Sequence, residues 1–440
     1  MRFESIVVGG GLCGTLAAQH LAEGGRKVLL LEAGSTARRA LPDDVAGFQR
    51  ITRDLTKVDP HRWSFLGPKG YDWHRVRALG GRTLLWGGWM MRPTADYFDA
   101  RKAMDAAWPV EFEKLNKWIK LAEQKLAVKK GARGVLHRHL AGLGLNTLVK
   151  HEAVKPGSQR MMTALDLRPR HVREATVLSF ETGPKGVKVH FEGGESVEGK
   201  QLLLAASPIE TARIVAASRG TGKRTRLSYA DHLISGVIGI TERRPDMGHP
   251  TDGADPSAVV APQPDAKHRF SMEVRGPTPL EHLDPDDVKA LGFTPETARN
   301  HSFYVVFAMG ETDPHQPRQC VLDPASKDSL GRPQPRFVKR PHTARERSLG
   351  AAMNRACIRV GKSLVGKGPW YQIYDALEYG SGGHETGTCV DDVLADGSLR
   401  DFSWVFLADG SGVPAATDRH PSLTLAANAL RVADAALRRP

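Results

Sequence analysis

Residues 5–35, SIVVGGGLCGTLAAQHLAEGGRKVLLLEAGS, admit few folds. An apolar run predicts a strand, a glycine-rich turn follows it, a helical pattern comes next, and KVLLLE predicts a second strand. Gly9, Gly11 and Gly14 fit G-x-G-x-x-G in the one context that gives that pattern meaning. The first glycine allows the tight turn, the second lets backbone approach a pyrophosphate, and the third lets helix and strand pack closely. Leu12 and Cys13 open the helix, whose N-terminus attracts phosphate charge. Glu32, followed by Ala33, ends the second strand, where a carboxylate can accept hydrogen bonds from a ribose diol. The order predicts a dinucleotide site on a parallel α/β sheet, without choosing between NAD and FAD.

A second glycine cluster bears on that choice. RVRALGGRTLLWGGWMMRP, residues 75–93, sets Gly80, Gly81, Gly87 and Gly88 around Trp86, which is too much glycine for a stable helix or strand. Such a segment lets backbone lie flat against a large planar ligand, with Arg77 and Thr83 among its candidate contacts.

The chain of 440 residues is long enough for two or three domains. No apolar run approaches the roughly 20 residues of a membrane span, and the strand pattern starts at once, so the expectation is a cytoplasmic protein without a membrane partner. Cys13, Cys320, Cys357 and Cys389 are scattered and form no CxxC pair, which argues against a disulfide framework or a zinc module. A net charge of +13 is compatible with an acidic substrate or an acidic protein partner. The basic residues are spread along the chain, with modest clusters at GKRTR and RFVKRPHTARER, which reads as a solvated surface and not as a specific nucleic-acid site.

With both glycine segments in view, the sequence resembles the glucose-methanol-choline (GMC) oxidoreductases, flavoenzymes that carry FAD and mostly oxidise alcohols. The resemblance runs through the chain in order: GGGLCG, LGGRTLLWGG, AWPVEFEKLNKWIKLAEQKL, LLLAASPIETARIVAAS, ETDPHQPRQCVLDPASKDSLGRP, GGHETGTC and FLADGSGVPAATDRHPSLTLAANALRVAD. It implies FAD contacts from Ala175 and Val177 in EATVLSF and from Ala205, Ala206 and Ser207 in the returning strand. Asp409, Gly410, His420, Pro421, Ser422 and Leu423 in the closing signature are implied in the same way. The chain departs from the family in being compact and in lacking arginine-methionine-glycine after its G-T pair. Leu85 stands where some sugar-oxidising relatives carry a flavin-linked histidine, so a noncovalent FAD is expected.

In GGHETGTC, residues 382–389, His384 has three readings. A metal ligand needs further donors, and neither a histidine at helical spacing nor a cysteine pair stands near it. A partner to a Cys389 nucleophile would leave the dinucleotide segment without purpose. A general base suits a neutral imidazole near physiological pH, and the resemblance places His384 beside the flavin ring, where hydride leaves for N5. The resemblance makes His420, in DRHPSLT, the second catalytic residue. Pro421 fits the first position of the helix after it, whose positive end can face the reduced ring.

The expected architecture is a Rossmann-like, FAD-binding parallel-sheet domain built from residues 1–40, 160–225 and 380–440, with a flavin-covering segment and helices over 41–159. A mostly antiparallel substrate domain is expected over 226–379, with 243–268 as a loop or lid. The leading reading is an FAD-dependent oxidoreductase acting on the CH–OH group of a small, specialised biosynthetic substrate. Flavin-dependent C–N or C–C oxidation keeps the same residues, and an RNA-binding flavoprotein is the remote third. Substrate, electron acceptor and oligomeric state are not legible.

Overall fold

The computed structural model describes residues 3–36, 41–43, 75–102, 108–158, 160–220, 224–242, 258–260, 269–283, 285–378, 383–414 and 418–439. Most of the expected 243–268 loop and residues 44–74 of the covering segment lie outside the described residues.

In chain order, β1 (Phe3–Val8), α1 (Leu12–Glu23) and β2 (Val28–Glu32) realise the opening strand–helix–strand pattern. Helix α2 (Phe112–Lys125) follows, then the short strands β3 (Thr147–Leu148) and β4 (Val172–Glu174). The hairpin β5 (Val177–Gly183) and β6 (Gly186–Phe191) leads to β7 (Ser196–Leu204) and α3 (Pro208–Ser218). Next come β8 (Thr225–Tyr229), β9 (His232–Glu242), β10 (Ala258–Val260), β11 (Phe270–Pro279), β12 (His301–Glu311), β13 (Arg318–Lys327) and β14 (Pro333–Val338). Helix α4 (Ala344–Val365), β15 (Trp370–Tyr374), β16 (Ser398–Leu399), β17 (Phe402–Leu407) and α5 (Ser422–Leu437) complete it.

These strands form an eight-stranded sheet with the order β16-β17-β7-β1-β2-β4 and the β5–β6 hairpin hydrogen-bonded beside β7. The pairs β17–β7, β7–β1, β1–β2 and β2–β4 are parallel. Helices cover both faces, so β2 is buried at every position and reads as an unbroken apolar run. One face packs Val7, Leu30 and Leu203 against α1 and α5 through Ala17, Leu21 and Ala433. The other packs Ile6, Leu202 and Leu204 against α3 and against Leu227, Cys320 and Phe337 of a separate three-stranded sheet, β8-β13-β14. That small sheet therefore shares its core with the parallel layer, although its sequence falls in the stretch expected for the substrate domain.

The second large sheet, β15-β9-β12-β11-β10-β3, is antiparallel throughout. Helix α4 closes its outer face, burying Leu233, Val237, Val306 and Val274 against Leu349, Met353 and Val360. The helix is well specified: Thr343 accepts from the Glu346 N–H, and Glu346 reaches back to the Thr343 N–H at 3.0 Å. Leu136 and Leu140, from a short helix at Val135–Gly142, also enter this core. The inner face of the sheet turns toward the parallel layer.

The opening glycines are required sterically. A Cβ on Gly14 would stand 1.9 Å from the Gly9 carbonyl oxygen, and one on Gly9, whose φ is +103°, would stand 2.3 Å from the Ala205 carbonyl oxygen. Gly25, with φ +84°, turns in open space. Gly25→Ala should therefore cost only the left-handed strain, about 1–2 kcal/mol. Gly14→Ala must displace backbone, and should cost about 3 kcal/mol; comparative denaturant unfolding of the two variants checks that order.

Candidate active site

A cavity of about 460 Å³ opens at the carboxyl ends of β1, β2, β4 and β7, where Val8, Glu32, Ala175 and Ala205 meet. Ligands of open parallel sheets sit in this crevice. Its walls continue past Gly9, Gly11, Leu12 and Cys13 to Gly81, Thr83, Leu85 and Trp86, and reach Gly383, His384 and Glu385 at the far end.

Several implied contacts lie on these walls: Gly9, Gly11, Leu12, Cys13, Glu32, Ala33, Gly81, Thr83, Trp86, Ala175, Val177, Ala205, Ala206, Ser207, Pro421 and Ser422. The others stand behind them. Gly14 carries the α1–β1 packing. Arg77 donates from Nε to the Ala33 carbonyl at 2.8 Å and from Nη2 to Thr176 Oγ1 at 2.9 Å, bracing that wall from outside. Gly80 donates its N–H to the Gly10 carbonyl at 2.9 Å, which lays the second glycine cluster on the first. Gly87 and Gly88, the latter at φ +64°, lead into the buried Trp89, and the Gly88 carbonyl accepts from the Ala153 N–H at 2.8 Å. Asp409 accepts from Thr211 Oγ1 at 2.7 Å, and the Gly410 carbonyl accepts from the Gly387 N–H at 2.8 Å, so this pair supports the His384 segment from beneath. Leu423 is fully buried in the core shared with α2, facing away from the cavity.

Glu32 is buried, and each of its oxygens already accepts a backbone N–H: Gly10 to Oε2 at 2.7 Å and Gly34 to Oε1 at 2.8 Å. Burial raises its carboxyl, a tendency these two bonds oppose. The carboxylate thus shapes the turn, and its remaining lone pairs face the cavity.

Arg82 fixes the far end. Its Nη1 donates to Glu385 Oε2 at 2.9 Å and also to the Gly383 carbonyl, and its Nη2 donates to Ser207 Oγ at 3.2 Å. Burial disfavours this guanidinium, but the Glu385 carboxylate prevails and its pKa rises. Asp231, which caps the His232 N–H at 2.7 Å, lines the cavity beside His384. Burial, reinforced by the Glu385 charge, pushes Asp231 up to about 7.

The two sequence-predicted histidines meet here. The His384 and His420 rings lie 5.2 Å apart at an interplanar angle of 79°. Helix α5 begins one residue later than expected, at Ser422, but Pro421 has helical dihedrals (φ −80°, ψ −4°) and its carbonyl accepts the Leu425 N–H at 2.9 Å. His420 therefore does stand at the helix entrance, with no acidic residue in the first turn.

Sequence reasoning missed two partners. Glu273, on β11, contacts His420 Nε2 through Oε1 and accepts from Arg275 Nη2 at 3.2 Å through Oε2. Burial works to raise Glu273, but the His420 ring, joined by the Arg275 and Lys150 charges, lowers the carboxyl. His232, on β9, sets its ring 5.0 Å from that of His384 at 85°. It is fully buried, and neither ring nitrogen has a hydrogen-bond partner of ordinary geometry among the described residues, the Gly310 backbone making only a looser approach. Burial first, and the His420 and Arg318 charges after it, push His232 down to about 3, which keeps it neutral. The detectable signal was a run of polar side chains with period two, Ser271, Glu273 and Arg275, on an otherwise apolar strand.

Cys389 is buried, and burial followed by the Asp409 charge pushes its thiol up to about 12, which removes it as a nucleophile. Among the described residues no group of His, Cys, Asp and Glu has the arrangement of a metal site, and no helix is long and apolar enough to cross a membrane.

Comparisons with known proteins agree with this geometry. Residues 7–38 match the family model of the NAD(P)-binding Rossmann-like domain. No curated protein sequence matches the chain. Among solved structures, pyridoxine 4-oxidase from Mesorbium loti superposes with a TM-score of 0.69 at 17% identity, covering 98% of each chain. A variant of formate oxidase from Aspergillus oryzae RIB40, from a study of FAD modification, gives 0.64 at 14% identity, covering 99% of this chain and 98% of that one. A second variant of the same oxidase gives 0.64 at 13% identity. The chain has, over essentially its whole length, the GMC-oxidoreductase fold that its motifs resemble.

Proposed function

We propose that the chain is a GMC-family flavoprotein that oxidises the CH–OH group of a small molecule, with His384 as the base. The observation that carries this reading is the approach of the His420 ring to His384, which lines one end of a cavity whose other end is the glycine loop and Glu32.

The cavity fits FAD. The backbone of Gly11 to Cys13, at the N-terminus of α1, is suited to a pyrophosphate, and Glu32, Ala33, Ala175 and Val177 form a wall for the adenosine. Trp86, Leu85 and the Pro421–Ser422 end of α5 would flank the ring. FAD would supply the hydride acceptor.

The chain's own residues supply the proton chemistry. A hydroxyl placed between the two rings meets His384 as proton acceptor and His420 as hydrogen-bond partner. The neutral, unbonded His232 keeps the His384 ring in place without competing for the proton. Glu273, in contact with His420 Nε2, stabilises the positive charge that the pair acquires when the proton arrives. The +13 net charge is read as surface charge with no specific nucleic-acid partner.

Two tests follow. Leu85 offers no attachment atom, so acid precipitation should release all of the yellow colour; flavin retained on the pellet overturns the noncovalent reading. In anaerobic stopped-flow reduction by an alcohol, His384→Ala should keep its FAD yet slow reduction by about 10²- to 10⁴-fold. His420→Asn should be milder, since asparagine still orients the hydroxyl. The reverse order makes His420 the base, near-wild-type rates in both mean that neither histidine is the base, and a wild-type flavin that no alcohol reduces transfers the case to C–N or C–C oxidation.

A further inference from the structure

Strand β15 is an edge of the antiparallel sheet: it pairs with β9, and among the described residues its other side is open. Edge strands usually carry a charge or a proline that discourages a further strand. WYQIY carries neither.

The two faces of this edge differ. Tyr371 stands opposite Ile238, and Tyr374 opposite Gly236. The register slips next to Tyr374, and the slip turns Ile373 the same way: a Cβ on Gly236 would stand 2.9 Å from Tyr374 Cδ2, 3.1 Å from Ile373 Cγ1 and 3.4 Å from Phe307 Cδ2. Tyr371, Ile373 and Tyr374 are 40%, 42% and 47% exposed, three of the seven large apolar side chains so open among the described residues. Trp370 and Gln372 take the other face, since their partners Gly239 and Val237 face α4, Gly239 toward Val365 and Val237 toward Gly361.

Helix α4 runs along that second face. Lys362 Nζ lies 4.8 Å from the Trp370 ring centroid, Asn354 Nδ2 donates to Asp375 Oδ1 at 2.7 Å, and a Cβ on Gly350 would stand 2.7 Å from Leu377 Cδ2. Helix and edge segment are therefore aligned head to tail over their length. At about 100° per residue, Arg347, Arg355 and Lys362 fall within about 80° of one another, and all three are exposed, opposite the buried Leu349, Met353 and Val360. The one acid of the helix, Glu346, is buried against Arg340, so its outer face carries cations alone. The acids that follow β15 are Asp375, bonded to Asn354, and the exposed Glu378.

We infer that β15 and the flank of α4 bind an extended segment of a partner protein in which acidic and apolar residues alternate. The segment adds a strand to the open backbone edge. Because side chains alternate across a strand, one set packs beside Tyr371, Ile373 and Tyr374, while the carboxylates of the other set meet Arg347, Arg355 and Lys362. A second copy of the chain is a poor match: joining two β15 edges about a two-fold axis would set two cationic α4 faces side by side, on chains that each carry +13. An anionic bilayer would suit the cations and tyrosines but brings no chain to the backbone edge.

The test uses the flavin-loaded full chain and a short, labelled, end-capped peptide of alternating valine and glutamate, with binding read by fluorescence anisotropy. The peptide should bind saturably. A peptide of the same composition with its valines and glutamates in two blocks should bind about tenfold more weakly, because it cannot keep its acids on one face. Methylating the peptide's backbone nitrogens on one alternate set should abolish binding, and on the other set should not, since one set alone faces the edge. Arg355→Glu and Lys362→Glu should each weaken the peptide about tenfold or more, and Tyr371→Lys should block the edge, with FAD content and melting temperature unchanged. Should Tyr371→Lys fail to fold, the two helix-surface variants and the methylated peptides decide. An alternating peptide that does not bind, a block peptide that binds as well, or indifference to which nitrogens are methylated overturns the proposal. Phosphatidylserine vesicles that bind where the peptide does not would assign the surface to a membrane, and self-association lost in Tyr371→Lys would assign it to a second copy; either result overturns it too.

Discussion

One guanidinium holds the site together. Arg82 leaves the second glycine cluster, reaches Ser207 at the end of the returning strand, and clasps both Gly383 and Glu385 on either side of His384. Three pieces of chain remote in sequence are thereby fixed at one point. Glu385 is fully buried and its other oxygen has no hydrogen-bond partner among the described residues, so loss of Arg82 would strand a buried charge. The close backbone contact beneath it has the same logic: Gly81 lies directly on Gly11, where a Cβ on Gly81 would come within 3.0 Å of the Gly11 Cα. The two glycine clusters are one joint seen from two positions in the sequence.

What the sequence made legible was whatever depends on local conformation. The strand, turn, helix, strand and acid of residues 3–32 can be read because each step has its own short-range signal, from glycine at a crowded turn to an unbroken apolar run in a sheet covered on both faces. His384 and His420 could be named only through the family resemblance, one in GGHETGTC and the other in DRHPSLT before the final helix. Leu423 shows the limit: it adjoins cavity residues in sequence, but the helical turn sends its side chain into the core against α2.

Glu273, His232 and Asp231 were out of reach for a different reason. Each lies on or beside a roof strand, and their placement comes from register between residues some 34 to 79 positions apart, Glu273 opposite Phe307 and His232 opposite Glu311. Alternation reveals that a strand has two faces, but it does not say which face meets a histidine. The same holds for Gly236, an ordinary glycine in sequence, whose meaning appears only when Phe307 and Tyr374 are seen to lean over it. The three-stranded sheet β8-β13-β14 adds a similar lesson, since its residues lie in the substrate-domain stretch of the chain but pack into the parallel layer.

The origin of the residues around His420 has its own consequence. Both histidines of the pair come from the parallel layer, the imidazole at the start of α5 and the one in the loop held by Arg82, whereas the carboxylate that touches His420 comes from the antiparallel roof. On the proposed reading, the acid–base apparatus is thus divided between two layers and depends on their being in register. A shear between the layers large enough to break the contact of Glu273 with His420 would leave that ring without its carboxylate. If His384 and His420 are the base pair proposed above, docking of the two layers is in that sense a component of the base itself.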